Sequence, residues 1–278
     1  MDAIIQIQSS FRIIGREDEL TLALAVLGAG HHLLLEGPVG VGKTTIALAV
    51  CGHLGRPVFR VDGDDRYTEN KLTGWFDPPV VLKSGYGPDT FTPGPLILAM
   101  RAGGVLFINE LNRMPEAVQN VLLPALDERR LIVPHVGELL AAPGFLVVAT
   151  QNPVEYVATG HLSEALRDRF EHVGLQYQDE AAEIAIVRQA TGCADETLVR
   201  EAVRLTRETR VHPKFKKGAS IRAAMAMVRI AVRLPGPDAL KIAARAALAT
   251  RVDLKDDTGE GLDAILNAVL DGLKKKTR

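Results

Sequence analysis

Residues 33–45 read Leu-Leu-Leu-Glu-Gly-Pro-Val-Gly-Val-Gly-Lys-Thr-Thr, and the fold of the whole chain is decided by how this stretch is read. The leucines suit a short buried strand, the residues after them a glycine-rich turn, and residues 43–54 a helix. Gly37, Gly42, Lys43 and Thr44 fill the fixed positions of G-x-x-x-x-G-K-[ST], the phosphate-binding P-loop. Glycines let backbone N–H groups converge on a phosphate with no Cβ in the way, and the helix that follows points its positive end at the same anion. Gly37, Pro38, Val39, Gly40, Val41, Gly42, Lys43, Thr44 and Thr45 are therefore the candidate residues for holding a nucleoside triphosphate. Lys43 is expected to reach the β- and γ-phosphates and the Thr44 hydroxyl to ligate Mg²⁺. A βα turn that is merely rich in glycine is the plainer reading, and a strand before with a helix after speaks against it.

Composition bounds the rest. A chain of 278 residues, 47% hydrophobic and 24% charged, has the make-up of an ordinary globular protein with room for one large domain or two modest ones. A net charge of −1 argues against nucleic acid or an anionic membrane as the main partner. Cys51 and Cys193 lie far apart and outside any CxxC pair, so packing thiols in a reduced cytoplasmic compartment are expected. His31 and His32 are adjacent and would point to opposite faces of a strand, which disfavours a shared metal. No basic region precedes an apolar run at the N-terminus, so no signal peptide is expected. The most apolar run, 139–150, is interrupted by Pro143-Gly144, and no membrane insertion is expected.

Ahead of the P-loop, Leu20, Leu22, Ala23, Val26 and Leu27 recur at helical spacing. Ile14 and Gly15, just before that helix, are candidates for packing on the nucleotide base, with plain core packing the alternative. Residues 57–61 read as a second strand. Residues 62–95 are polar and rich in Gly and Pro, with no helix beyond a turn around 69–72. Within them, Val80-Val81-Leu82-Lys83 and Thr90-Phe91-Thr92 are expected to pair as a hairpin projecting from the sheet.

Residues 104–110 form an apolar run ending in Asn109-Glu110, the pattern of a buried parallel strand whose carboxyl end meets the ligand. Glu110 is the candidate for orienting the attacking water. Asn109 stands where an aspartate usually helps to hold Mg²⁺, so it is read as a weak or water-mediated ligand. A helix from Glu116 is expected to kink or end early at Pro124, followed by a hairpin over 129–140. The strand 145–150 delivers Gln151-Asn152-Pro153 to the same edge, where Asn152 can hydrogen-bond the γ-phosphate or the water; an Asx turn is the alternative. A short helix over 162–170 carries Arg167 and Arg169, for which a solvated helix face is the default reading, and 172–175 is a fifth strand. From about residue 179 only helices are expected, over 181–190, 196–210, 220–233, 237–250 and 262–273, before a fraying Lys274-Lys275-Lys276 tail. The expected fold class is α/β: residues 1–178 form a P-loop core with a five-stranded parallel sheet and helices on both faces, and residues 179–278 an all-α lid.

Taken together, residues 34–44, 107–113 (Phe-Ile-Asn-Glu-Leu-Asn-Arg), 148–155 (Val-Ala-Thr-Gln-Asn-Pro-Val-Glu), 162–170 (Leu-Ser-Glu-Ala-Leu-Arg-Asp-Arg-Phe) and 218–223 (Gly-Ala-Ser-Ile-Arg-Ala) resemble the MoxR family of AAA+ ATPases. The resemblance runs from about residue 14 to 253, and its most family-specific piece is 149–170. Within the family the sequence looks most like the branch associated with carbon-monoxide-dehydrogenase-type molybdoenzymes. The resemblance implies ATP and Mg²⁺ as cofactors, Asn152 as sensor 1 and Arg222 as sensor 2. It implies Arg169 as the arginine finger on a neighbour's nucleotide, with Arg167 its nearby rival. Hairpins 80–92 and 129–140 then correspond to the helix-2 insert and the hairpin before sensor 1. The implied assembly is a homo-hexamer that remodels a client enzyme with a von Willebrand factor A domain partner, often in metal-cofactor insertion. Asn109 departs from the usual Asp-Glu pair, so hydrolysis is expected to persist but to be slow or to need high Mg²⁺. Other readings are an ATP-dependent switch with slow hydrolysis, a DNA-directed AAA+ motor, and a small-molecule kinase that would leave both arginines and both hairpins without a role.

Overall fold

The computed structural model describes residues 2–152, 162–255, 259 and 261–276, with side chains omitted at 271 and 273–276. Pro153, Val154 and Glu155, part of the block used for the resemblance, lie outside the described residues. Five segments pair as one parallel sheet: β1 (His32–Glu36), β2 (Val58–Asp62), β3 (Val105–Asn109), β4 (Leu146–Gln151) and β5 (Phe170–Gly174). Their order is β2-β3-β4-β1-β5. The three inner strands are apolar almost throughout because helices cover both faces, whereas β2 and β5 at the edges mix buried and exposed residues.

The chain clusters into two units, Met1–Pro38 with Gly42–Gln176, and Val39–Val41 with Tyr177–Arg278. In the first, α1 (Asp2–Phe11) and α2 (Glu17–Gly28) precede β1, and α3 (Lys43–His53) follows the P-loop. Helix α1 was not anticipated; it buries Ile7, and its Phe11 ring lies 2.8 Å from where a Cβ on Gly52 of α3 would sit. Then come α4 (Glu69–Thr73), α5 (Pro78–Ser84), α6 (Pro95–Ala102), α7 (Glu116–Asn120), α8 (Leu122–Asp127) and α9 (Glu164–Arg167). The first unit's main core packs α6, α7 and α8 on the sheet through residues such as Leu96, Met100, Val118 and Leu122, with Leu106, Ile108 and Val147 beneath.

The expected hairpin over 80–92 is corrected. Residues 78–84 form helix α5, and the antiparallel pair is Gly74–Phe76 with Phe91–Pro93. Pro78 and Pro79 preset the first helical turn, and the Val81 N–H bonds to the Asp77 carbonyl (3.0 Å). The short helix buries none of its residues, so no amphipathic pattern announced it. Helix α6 begins where a loop was expected to end, and its Leu96, Ile97, Ala99 and Met100 are buried. The helix after Glu116 breaks at Val121, ahead of Pro124, which has no N–H to donate. The second hairpin pairs Arg130–Val133 with Gly137–Leu140. Helix α9 is a single turn capped by Ser163, shorter than expected, and Arg169 lies beyond it.

The second unit holds α10 (Glu180–Thr191), α11 (Glu196–Val211), α12 (Ile221–Ala231), α13 (Ala239–Leu248) and α14 (Leu262–Lys276). Asp179 and Asp195 cap α10 and α11 by accepting the Ala182 and Leu198 N–H groups (2.7 and 3.0 Å). Val199, Leu205, Met227, Leu248 and Ile265 are among its core residues. Two corrections apply here. Phe215–Lys217 pairs antiparallel with Asp253–Leu254, so the unit is not purely helical, and α14 continues through Lys276 where fraying was expected.

His32 shows how tightly the first unit is filled. It is 6% exposed; Nδ1 accepts from the Val147 N–H (3.0 Å) and Nε2 faces the Leu126 carbonyl (3.4 Å). Burial pushes its pKa down to about 4, below the ordinary 6.5. The unfolded chain therefore binds this proton first as pH falls, and stability is lost on acidification through that window. We expect urea unfolding to show a loss of about 2 kcal/mol between about pH 7 and pH 5 from this group, removed in His32→Gln.

Candidate active site

Gly37, Gly40 and Gly42 adopt φ values of 159°, 82° and 97°, which only glycine takes readily, and Gly42 hands the chain to α3. Within the second unit, a Cβ on Gly40 would stand 2.4 Å from Ser220 Cβ, and the Tyr177 hydroxyl donates to the Val39 carbonyl (3.2 Å). Lys43 Nζ donates to the carbonyls of Gly37 (2.6 Å) and Pro38 (2.8 Å). A cation at a helix N-terminus opposes the helix dipole, and these carbonyls offset that until an anion does so better. Pro38, Val39 and Val41 complete the turn, while Thr45 is exposed on the first turn of α3.

Thr44 opens onto the carboxyl ends of β3 and β4. Its hydroxyl donates to Asn109 Oδ1 (2.9 Å), and the Thr150 hydroxyl donates to the same oxygen (3.1 Å). Thr150 also accepts the Glu110 N–H (2.9 Å) and is fully buried. Asn109 Nδ2 donates to Asp62 Oδ1 (3.0 Å), and Arg60 holds both Asp62 oxygens (3.0 and 2.7 Å). Hydrogen bonding to the Arg60 guanidinium keeps the Asp62 carboxyl below its usual range. The side-chain atoms gathered beside Thr44 are oxygens of Thr44, Asn109 and Thr150, a donor set of the kind a hard divalent cation takes.

Glu110 follows directly, at φ 58° and ψ 51°, a left-handed conformation uncommon for a residue with a side chain. That turn redirects the chain after β3, and the Glu110 carboxylate accepts from Arg113 (2.8 Å). Asn152 lies just past β4, 8% exposed, with its carbonyl accepting from Asn112 Nδ2 (3.2 Å). Glu36, the residue before the P-loop, accepts from Gln151 Nε2, which ties the start of the loop to the end of β4.

The structure therefore brings Thr44, Asn109 and Glu110 into one bonded network, with Asn152 one strand end away. Arg169 is engaged within the chain, donating to Asp127 through Nε (2.7 Å) and to the Ala165 carbonyl. Arg167 and Arg222 are exposed and make no side-chain bond among the described residues. Ile14 and Gly15 sit half-buried in the turn between α1 and α2, where the Gly15 carbonyl accepts from Gln8 (2.9 Å).

Sequence reasoning missed Asp62, Arg113 and Thr150. Arg113 carries a readable signal, three residues after Glu110 at the spacing of one tight helical turn. Thr150 reads as ordinary strand content, and Asp62 meets Asn109 only through strand pairing.

The sequence profile of the AAA domain, dynein-related subfamily, matches residues 32–170, half of the chain. The chain belongs to this family. It is an AAA+ ATPase. Gas vesicle ATPase GvpN of Ancylobacter aquaticus is 31% identical over 224 residues, 75% of this chain and 62% of GvpN, so the AAA+ chain spans less than two thirds of that relative. An uncharacterised protein of Staphylococcus saprophyticus is 30% identical over 253 residues, covering 89% of this chain and 92% of its own length. In fold, a crystal structure assigned as an ATPase from Cytophaga hutchinsonii aligns with a TM-score of 0.52 at 21% identity, covering 97% of this chain and 94% of that one. The RuvB protein of Thermotoga maritima aligns at 0.54 and 19%, covering 94% and 70%.

Thr150 gives the most specific test of the network. Thr150→Val keeps the shape but leaves the Glu110 N–H without its acceptor, at a cost of about 1–3 kcal/mol. We expect lower thermal stability and slower ATP hydrolysis in Thr150→Val, and both near wild type in Thr150→Ser.

Proposed function

We propose that this ATPase is a MoxR-like remodelling machine. ATP sits on Gly37–Thr45 residues of the P-loop with Mg²⁺ at Thr44 and Asn109, Glu110 orients the attacking water, and Asn152 senses the γ-phosphate. Ile14 and Gly15 pack on the base. The domain from about residue 179 acts as a lid that brings in Arg222, and Arg169 completes the site of a neighbouring subunit in a homo-hexamer. The client enzyme is engaged with a von Willebrand factor A domain partner, in metal-cofactor insertion or enzyme maturation, in the cytoplasm. No helix among the described residues is long and apolar enough to cross a membrane.

The observation that carries this reading is the apolar surface of the two inserts, 74–93 and 129–140. They expose Trp75, Leu82 (88% exposed), Tyr86, Ile132 and Leu140, apolar side chains that core packing leaves in water. Tyr86 stacks on His135 at 4.8 Å, so the two inserts meet. A small-molecule kinase has no use for such a surface, and a machine that grips another protein does. The slow-switch reading keeps one observation of its own: Arg113 holds the Glu110 carboxylate that would orient water. A DNA-directed motor gains only fold support from RuvB, against a net charge of −1.

ATP hydrolysis measured against protein concentration tests the proposal. Specific activity is expected to rise with concentration in the wild type and to fall by about 10³ or more in Arg169→Ala. A fall in Arg167→Ala alone moves the finger to that residue, and activity independent of concentration and of both arginines overturns the ring. Turnover that stays slow at every concentration is the signature of the switch.

A further inference from the structure

The asparagine at 109 raises a question that an aspartate would not. A carboxylate presents oxygen on both sides, whereas a carboxamide presents an oxygen one way and an NH₂ donor the other, and only the oxygen attracts a cation. Which end faces Thr44 is decided by the neighbours. Two hydroxyls, from Thr44 (2.9 Å) and Thr150 (3.1 Å), lie on one side, and each can donate or accept. On the other side stands the Asp62 carboxylate, 3.0 Å from Nδ2, and an ionised carboxylate only accepts. Among the described residues, Asp62 is thus the one contact that tells the two ends of the amide apart.

From this geometry we infer that Asp62 is a positioning residue for the metal site: by accepting from Nδ2 it holds the Asn109 amide so that Oδ1 faces Thr44. Three features support the role. Asp62 and Asn109 are register partners at the ends of paired parallel strands. The Gly63 N–H bonds to the Asn109 carbonyl (2.7 Å), and a Cβ on Gly63 would stand 2.1 Å from the Glu110 carbonyl oxygen, so the two strand ends are held closely together just past these residues. Arg60 takes both Asp62 oxygens (3.0 and 2.7 Å), which fixes the carboxylate and leaves it poorly placed to be a metal ligand itself. Asp62 therefore acts on the metal corner through the orientation of the amide, since Arg60 pairs its charge.

This inference rests on the reading of Thr44 and Asn109 as the Mg²⁺ ligands. The test is ADP binding measured by calorimetry across a Mg²⁺ titration, with no turnover involved. Asp62→Ala is expected to raise the Mg²⁺ concentration for half-maximal tightening by about tenfold or more, as loss of an outer partner of a metal ligand does. Metal-free ADP affinity, set by the P-loop, stays as in the wild type and shows that the variant is folded. Exchanging donor and acceptor in Asp62→Asn with Asn109→Asp rebuilds the hydrogen bond with the carboxylate beside Thr44, and returns the midpoint to wild type or below. An Asp62→Ala midpoint equal to wild type overturns the role, as does an exchange variant no better than Asp62→Ala. If Mg²⁺ fails to tighten ADP binding in the wild type, the metal reading itself fails, a different result from either.

Discussion

Parallel pairing is the constraint on which the rest depends. Because β1 through β5 all run the same way, their carboxyl ends fall on one edge, and the residues that leave the strands there meet without being neighbours in sequence. Glu36 and Gly37 leave β1, Asp62 leaves β2, Asn109 and Glu110 leave β3, and Gln151 and Asn152 leave β4. The buried apolar bodies of β1, β3 and β4 hold these polar ends in place, since a shift along the strands would draw Glu36, Asn109 or Gln151 into the apolar interior. Catalytic geometry here is a by-product of core packing, with the polar network built on the rim.

That rim is wired by hydrogen bonds that each do two things. Thr150 satisfies the Glu110 N–H and also donates to Asn109, so the backbone turn after β3 and the side chain that ends it are fixed by one buried hydroxyl. This support offsets the left-handed backbone of Glu110, whose carboxylate accepts from Arg113. The same economy appears at Lys43, whose carbonyl partners hold a cation where only an anion would otherwise be favourable.

The central sheet and the P-loop were legible in the sequence because long apolar runs and a fixed glycine spacing are local signals. The hairpin over 129–140 and the early break near Pro124 were legible for the same reason. What escaped was governed by short-range chemistry without periodicity or by distant pairing. Helix α5 buries nothing and is set by Pro78-Pro79, so its valines read as strand. The strand pair of the second unit joins Phe215–Lys217 to Asp253–Leu254 across some of its helices, beyond the reach of any local pattern. Within the site, Lys43, Thr44, Asn109, Glu110 and Asn152 sat in recognisable motifs, while Asp62 mattered only once β2 lay beside β3.

The proposed site for a divalent cation lies where the loop after β1 meets the ends of β3 and β4. Anomalous diffraction from crystals grown with ADP and Mn²⁺ tests it most directly. The account predicts a manganese peak coordinated by the Thr44 hydroxyl, with Asn109 Oδ1 turned toward it directly or through one water. A peak at another group of side chains, or an Asn109 amide presenting Nδ2 to the metal, would contradict it.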